Sequence, residues 1–427
     1  MGPTVGRTHP ARCTGNPQGG TVSQLPVPAV ADVPRWVAQH LGHLHRDDDV
    51  APSGRFRGGQ AAADTALATL DVTGYAGRRN EVLPESRRGA SAMSPYIRHG
   101  LLSLPEVWDA VADAPTRDRT KYRDELLWQE YSRHLYARLG TRTRTALRAE
   151  PARARVRWQE PWPREMACLD TVLGELDADG WLVNQTRMWV SSQWTVRAGH
   201  DWAAGEDELY ARLLDGSRAA NRVGWQWTVG AGNGKAYGFS RWQVRKRAPG
   251  LCEQCPLASD CPIEAWPDDQ PTRWLEREPL MAADPSPEVT GGPADVATTG
   301  EPDAVWLTAE SLGTADPALA AHPDLPVVFV FDEPLLARLQ LASKRLVFLT
   351  ETLAELAEDR EVQLYLGEPA AELAGRSVAV THAPVPGFTR RAAEVRPVQV
   401  HPWPWLHRPH AGPVSSFSAW REGLSKR

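Results

Sequence analysis

A Pro-, Asp-, Glu- and Thr-rich stretch over residues 265–303 divides this chain of 427 residues into two parts with different hydrophobic periods. Before it, apolar residues recur every three or four positions, the spacing of amphipathic helices. Ala61, Ala62, Ala63, Ala66, Leu67 and Leu70 lie on overlapping faces, and Leu126, Leu127, Tyr131, Leu135 and Leu139 mark one side of a helix over 122–139. Helical patterns continue through 166–176, 184–198 and 206–214, and no alternating strand stands out before residue 300. After the stretch, short apolar runs at 304–307, 327–331, 362–366, 378–380 and 398–400 read as strands, separated by a long helix over 334–359 and a shorter one. Strands alternating with helices predict a parallel sheet. The predicted class is therefore α + α/β, an all-helical domain followed by a smaller Rossmann-like domain. Residues 1–50 read as a mostly disordered extension with one short helix near Trp36–Leu44, 51–264 as the helical domain, 265–303 as a linker and 304–427 as the α/β domain.

Composition narrows the function classes. A net charge of −5 signals no nucleic-acid partner globally, so any basic surface has to be local. Two local clusters exist, Arg142, Arg144, Arg148, Arg153, Arg155 and Arg157, and Arg241, Arg245, Lys246 and Arg247. No apolar run approaches the ~20 residues that span a bilayer. The first residues contain no apolar leader segment, so a soluble cytoplasmic protein is expected, and a monomer is the default. The α/β part lacks a Gly-rich phosphate loop at its first turn, which argues against a dinucleotide there. Five cysteines, three of them in the run Cys252-x-x-Cys255-x5-Cys261-Pro262, do not form a secreted disulfide pattern; the spacing suits thiolate ligation of zinc or an iron–sulfur cluster, with a fourth ligand required.

The richest motif is Asp215-Gly216-Ser217-Arg218-Ala219-Ala220-Asn221, followed by Gly224-Trp225-Gln226-Trp227. The chain holds 18 tryptophans, and here they stand among small and polar residues, which suits a wall for a flat aromatic ligand or an extruded base. Gly180-Trp181-Leu182-Val183-Asn184-Gln185-Thr186-Arg187-Met188 has the same character. Together these runs resemble the flavin-binding core of the DNA photolyase and cryptochrome family, and further motifs follow in that family's order. Tyr75 with Arg79 resembles its Tyr-x-x-x-Arg pair, Ser91-Ala92-Met93-Ser94-Pro95-Tyr96 its FAD-phosphate segment, and Glu125-Leu126-Leu127-Trp128 its Glu-x-x-Trp.

The resemblance implies a photolyase-type FAD-binding domain. Its cofactor contacts would be Tyr75, Arg79, Ser91, Met93, Ser94, Tyr122, Gln129, Trp181, Arg187, Asp215, Ser217 and Asn221. Glu125, Trp128, Asn184, Met188 and Trp227 would meet the substrate, and Trp225, Trp202 and Trp158 would carry electrons. Three positions depart from the pattern: Ala90 stands for a Thr, Gln129 for an Arg that contacts FAD, and Ser217 for an Asp. Cys168 together with Cys252, Cys255 and Cys261 resembles the iron–sulfur bacterial branch, which implies a [4Fe–4S] cluster. Val305-Trp306, Asp316–Leu319, Val327–Asp332, Lys344–Leu349 and Ser416–Arg421 resemble segments of the family's antenna domain, here placed after the flavin domain. Leu307, Thr308, Ala309 and Glu310 stand where its Arg-rich signature belongs, so a scaffold without antenna pigment is expected, the alternative being an unrelated α/β module. The implied function is light-driven repair of cyclobutane pyrimidine dimers in ultraviolet-damaged DNA. The alternatives are a cryptochrome-like photoreceptor and an iron–sulfur DNA-binding module.

Overall fold

The computed structural model describes residues 24–151, 158–267 and 272–424. The helical part is organised around one long helix, Thr116–Leu139, stopped at Gly140, whose φ of +56° is a left-handed conformation that glycine adopts without penalty. This helix is buried on two sides. Tyr122 and Leu126 join the main core, whereas Leu127, Tyr131, Leu135 and Leu139 pack with Met281, Val414 and Trp420. That double burial explains why its sequence carries apolar residues on more than one face.

Among the described residues one seven-stranded sheet runs in the order β1-β5-β4-β3-β6-β7-β2. The strands are β1 (Gln24–Leu25), β2 (Ala297–Thr298), β3 (Ala304–Leu307), β4 (Val327–Asp332), β5 (Val362–Gly367), β6 (Val378–Thr381) and β7 (Gln399–His401). The five inner strands are parallel, with β4 and β5 in register from Val327↔Val362 to Asp332↔Gly367, and the two edges are antiparallel. Strand order reverses at β3, so the crevice where open α/β sheets bind ligands lies beyond the carboxyl ends of β3 and β6. Residues just past those ends, Glu310, Pro384 and Val385, line the large cavity described below.

Several expectations are corrected. The described part of the N-terminal extension is ordered, not disordered: from Gln24 it supplies β1 and the helix Val33–Leu41, whose Val33, Val37 and Leu41 are fully buried and which packs on the helix Ser343–Leu356. Residues 265–303 are not a free linker. They contain the helices Pro279–Ala282 and Pro287–Gly291 and strand β2, and Asp284 forms a buried ion pair of 3.1 Å with Arg138 of the long helix. The acidic and proline-rich composition concealed this because the buried groups are few and are satisfied one by one. The helix expected over 334–359 is two, Glu333–Leu339 and Ser343–Leu356, separated by Gln340 at φ +45°.

Arg345 ties the two parts together. Buried at 2% exposure, it donates from Nε to the Leu213 carbonyl at 2.8 Å and from Nη2 to the Tyr210 carbonyl at 2.5 Å, and its guanidinium sits 4.7 Å from the Tyr210 ring. The C-terminal segment returns to the long helix through Trp420, whose Nε1 donates to His134 Nδ1 at 2.8 Å, and through Val414, whose carbonyl accepts from the Tyr131 hydroxyl at 3.0 Å.

Candidate functional site

A cavity of about 570 Å³ opens between the helical domain and the carboxyl edge of the sheet. Tyr75, Arg79, Ser91, Met93, Ser94, Tyr122, Glu125, Trp128, Gln129, Trp181, Asn184, Arg187, Met188, Asp215, Ser217, Asn221, Trp225 and Trp227 all line it. The structure thus brings together every residue expected to touch cofactor or substrate, from well-separated stretches of chain. A drug-sized or cofactor-sized ligand needs a concavity of this order.

One wall is made by the segment 91–94 and its supports. Ala92 is held at φ +57°, an uncommon conformation for a residue with a Cβ, and such outliers concentrate at functional sites. Ser94 Oγ accepts from Trp181 Nε1 at 2.9 Å, and Ser91 Oγ accepts from the Tyr122 hydroxyl at 3.2 Å. Burial pushes the Tyr122 phenol up to about 12, so it remains a donor.

The opposite wall is the start of the helix Arg218–Thr228. Ser217 caps it, its Oγ accepting from the Ala220 amide at 3.5 Å, a position where Ser and Asp are both favoured. Arg187 donates to Asp215 Oδ2 at 2.7 Å. Asp215 Oδ1 and Trp225 Nε1 are buried without a partner, and both residues line this cavity. A buried carboxylate oxygen left open beside an arginine calls for a ligand donor. Asn221 is positioned by Glu206, which sequence reasoning missed. Its Nδ2 donates to the Glu206 carbonyl at 3.0 Å and to Oε1 at 2.9 Å, so the amide oxygen is the group it keeps for a ligand. Glu206 is itself paired with Arg218 at 2.6 Å and Arg222 at 3.4 Å.

Towards the mouth stand Glu125, Trp128, Asn184, Met188 and the exposed Trp227. Glu125 Oε1 lies 2.8 Å from Lys121 Nζ and 3.4 Å from Arg79 Nε. Trp128 is not free on both faces. Phe417 of the C-terminal helix stacks on it at 4.1 Å and 9°. Arg133, Glu310, Pro384, Val385 and Trp403 also line the cavity. None of them carries a motif; Arg133 stands one turn beyond Gln129 on the long helix, and the other four reach the cavity only through the docking of the α/β part.

The three expected electron carriers do not form one stack of rings. Trp225 is buried and its ring neighbour is Trp194, 6.5 Å away, which in turn meets Trp162 at 4.8 Å. Trp202 is buried and Trp158 is half-buried, but neither makes a ring contact with Trp225. The basic clusters are largely neutralised: Arg142 pairs with Glu278, Arg144 with Asp207, Arg241 with Glu264, Arg245 with Glu253 and Arg247 with Glu81. Arg153, Arg155 and Arg157 lie outside the described residues.

Cys168, Cys252, Cys255 and Cys261 converge on one small cavity whose other walls include Met166, Leu251, Leu257 and Ile263. Burial, reinforced by the other three thiols, pushes the Cys168 thiol up. All four are free of disulfides, and no His, Cys, Asp and Glu set among the described residues is arranged to hold a metal ion. No helix among them is long and apolar enough to cross a membrane.

Comparison with known proteins agrees with the geometry. Residues 122–248 match the FAD binding domain of DNA photolyase. The deoxyribodipyrimidine photo-lyase of Vibrio cholerae is 28% identical over 166 residues, covering 36% of this chain and 35% of that protein. A deoxyribodipyrimidine photo-lyase of Thermus thermophilus is 31% identical over 225 residues, covering 49% and 50%, and the cryptochrome DASH of Gloeobacter violaceus is 27% identical over 256 residues, covering 52% and 49%. The chain thus spans between about a third and a half of the length of these curated relatives. Through its flavin-binding part, residues 122–248, this chain is similar to the photolyase/cryptochrome family.

Proposed function

We propose that this protein repairs cyclobutane pyrimidine dimers in ultraviolet-damaged DNA under blue light. The observation that carries the reading is the single cavity that joins flavin-side groups, Asp215, Arg187, Asn221 and Ser91, to a mouth lined by Glu125, Met188 and the exposed Trp227. The donor set of the inner part suits FAD: Asp215 would hold it through its open Oδ1, kept aligned by Arg187, and Ser91, Ser94 and Arg79 would hold a pyrophosphate. When bound and reduced, FAD supplies the light absorption and one transferable electron.

The chain's own residues do the rest. Asn221 presents only its carbonyl oxygen, because Glu206 holds its amide hydrogens, so it favours a protonated neighbour and hence a reduced cofactor. A dimer flipped out of the helix costs less to unstack than an intact pair. Trp227 and Met188 give it an apolar seat at the mouth, Asn184 reaches its edge, and Trp128 closes the seat, braced by Phe417. Glu125 hydrogen-bonds the dimer, and Lys121 and Arg79 bring positive charge to the place where the dimer gains negative charge. Trp225 would supply electrons from the protein side.

For the cysteines we propose a [4Fe–4S] cluster held by Cys168, Cys252, Cys255 and Cys261. The four thiols line one small cavity, and four thiolates are the ligand set that such a cluster would take. We assign no pigment to the α/β domain, which roofs the cavity through Glu310, Pro384 and Val385.

A photoreceptor without repair is the second reading, favoured by the Phe417 stack on one face of Trp128 and by Gln129 at the cavity wall. The deciding assay is blue-light repair of a dimer-containing oligonucleotide by the reduced, FAD-loaded protein. Restored dimer-free DNA supports the enzyme. Flavin bound with no repair transfers the case to the photoreceptor.

A further inference from the structure

Ring contacts around Trp225 define a route for electrons that the sequence motifs do not. Trp225 is 2% exposed, and its indole N–H is buried with no acceptor. The neighbouring ring is Trp194, with centroids 6.5 Å apart and planes at 78°. Trp194 sits in the π-helical turn Gln193–Arg197 that ends the helix Asn184–Ser192, and it is half-buried, so one edge reaches solvent. On its other side Trp162 packs edge-on at 4.8 Å, with its own Nε1 donating to the Val190 carbonyl at 2.8 Å.

The approach of Trp194 to Trp225 depends on Gly205. A Cβ there would sit 2.7 Å from Trp194 Cδ1 and closer still to Trp225 Cη2, so both ring edges occupy the space of one methyl group. Trp202 is buried three residues away and makes no ring contact with either. Electrostatics gives the route a direction. A positive charge left on Trp225 would lie on a buried ring whose N–H has no acceptor, which is unfavourable. On Trp194 the same charge is better placed, because its Nε1 donates to the Asp201 carbonyl at 2.7 Å and water reaches the ring.

We propose that Trp194, not Trp202, refills Trp225 after Trp225 has given one electron to a photoexcited oxidised flavin in the cavity; this rests on the flavin reading of that cavity. Three one-electron moves balance the sequence: Trp225 to the flavin, Trp194 to Trp225, and a thiol reductant in solution to Trp194. Two thiols oxidised in this way join as a disulfide and release two protons. Trp162 is the packed support of Trp194 and a second reservoir for the charge.

The test uses the full-length protein loaded with oxidised FAD and illuminated with blue light in the presence of a thiol. Photoreduction is followed through flavin absorption and the transient absorption of the tryptophan radical, neither of which requires DNA repair. Trp194→Phe is expected to slow photoreduction at least ten-fold with unchanged flavin content, and Trp202→Phe to change it less than two-fold. Equal rates in Trp194→Phe and unaltered protein overturn the relay, as does loss of photoreduction in Trp202→Phe alone, a result that stands even if Trp194→Phe fails to fold. If the unaltered protein binds no flavin, the reading of the cavity fails and the relay falls with it.

Discussion

Replacing Gly216 by alanine tests whether the flavin motif also serves as an interdomain clamp. Gly216 is buried, and an added Cβ would collide with Arg345 Nη2 and lie 2.8 Å from the Tyr210 carbonyl oxygen. The carbonyl belongs to backbone and cannot swing aside. Arg345 cannot either, because its guanidinium is committed to the Leu213 and Tyr210 carbonyls and stacked 4.7 Å from the Tyr210 ring. Burial has already drawn its pKa down to about 10, a sign of how little solvent it retains. Charge-assisted hydrogen bonds contribute about 1.5–3 kcal/mol each, and a buried charge deprived of partners costs about 3–5 kcal/mol. Gly216→Ala is therefore expected to destabilise the protein by about 3–5 kcal/mol in denaturant titration, with the two domains losing their common transition. Arg345→Met removes both the charge and the obstruction, so the double variant should recover about 2 kcal/mol relative to additivity. A Gly216→Ala loss below about 1 kcal/mol, or strict additivity with Arg345→Met, refutes the clamp.

Three other outcomes are expected. Asp215→Asn removes the partner of Arg187 and should weaken FAD retention ten-fold or more, read as the flavin-to-protein ratio after gel filtration. Burial raises the Glu130 carboxyl from 4.5 to about 7, so in the folded chain it keeps its proton while the unfolded chain loses it; stability contributed by this group falls between about pH 4.5 and 7 and levels off above, a change of up to about 3 kcal/mol. His99, His134 and His382, held neutral by burial down to about 3, 3 and 4, act in the opposite sense below pH 6.5, so the clean measurement is the difference between the stability–pH curves of unaltered protein and Glu130→Gln, and parallel curves would refute the assignment. Cys168→Ser should abolish iron–sulfur absorption in protein isolated without oxygen, and retained iron would remove Cys168 from the ligand set.

Much of the site is legible in the residue spacing. The intervals between Glu125 and Trp128, among Asn184, Arg187 and Met188, and between Asn221 and Trp225 encode which side chains share a helix face, and all of these line one cavity. The fold class is legible for the same reason, since helix and strand periods differ. The N-terminal β1 and its helix are not. Two strand residues carry no period, and Val33, Trp36, Val37 and Leu41 acquire meaning only against the helix Ser343–Leu356, some three hundred positions away. The packed segment at Pro279–Gly291 is hidden likewise, because one buried Asp284–Arg138 pair leaves no compositional trace.

Taken alone, the sequence determined the local alignments: which residues lie on one helical face, where the helical period gives way to the α/β period, and which cysteines are close enough in sequence to act together. Tertiary structure decided what no local period encodes. It set Phe417 against Trp128, Glu206 behind Asn221, Glu310 and Val385 over the cavity, and Trp194 rather than Trp202 beside Trp225. Side chains on one helix are related by a fixed rise and rotation, whereas partners from distant segments meet only through the packing of the whole core.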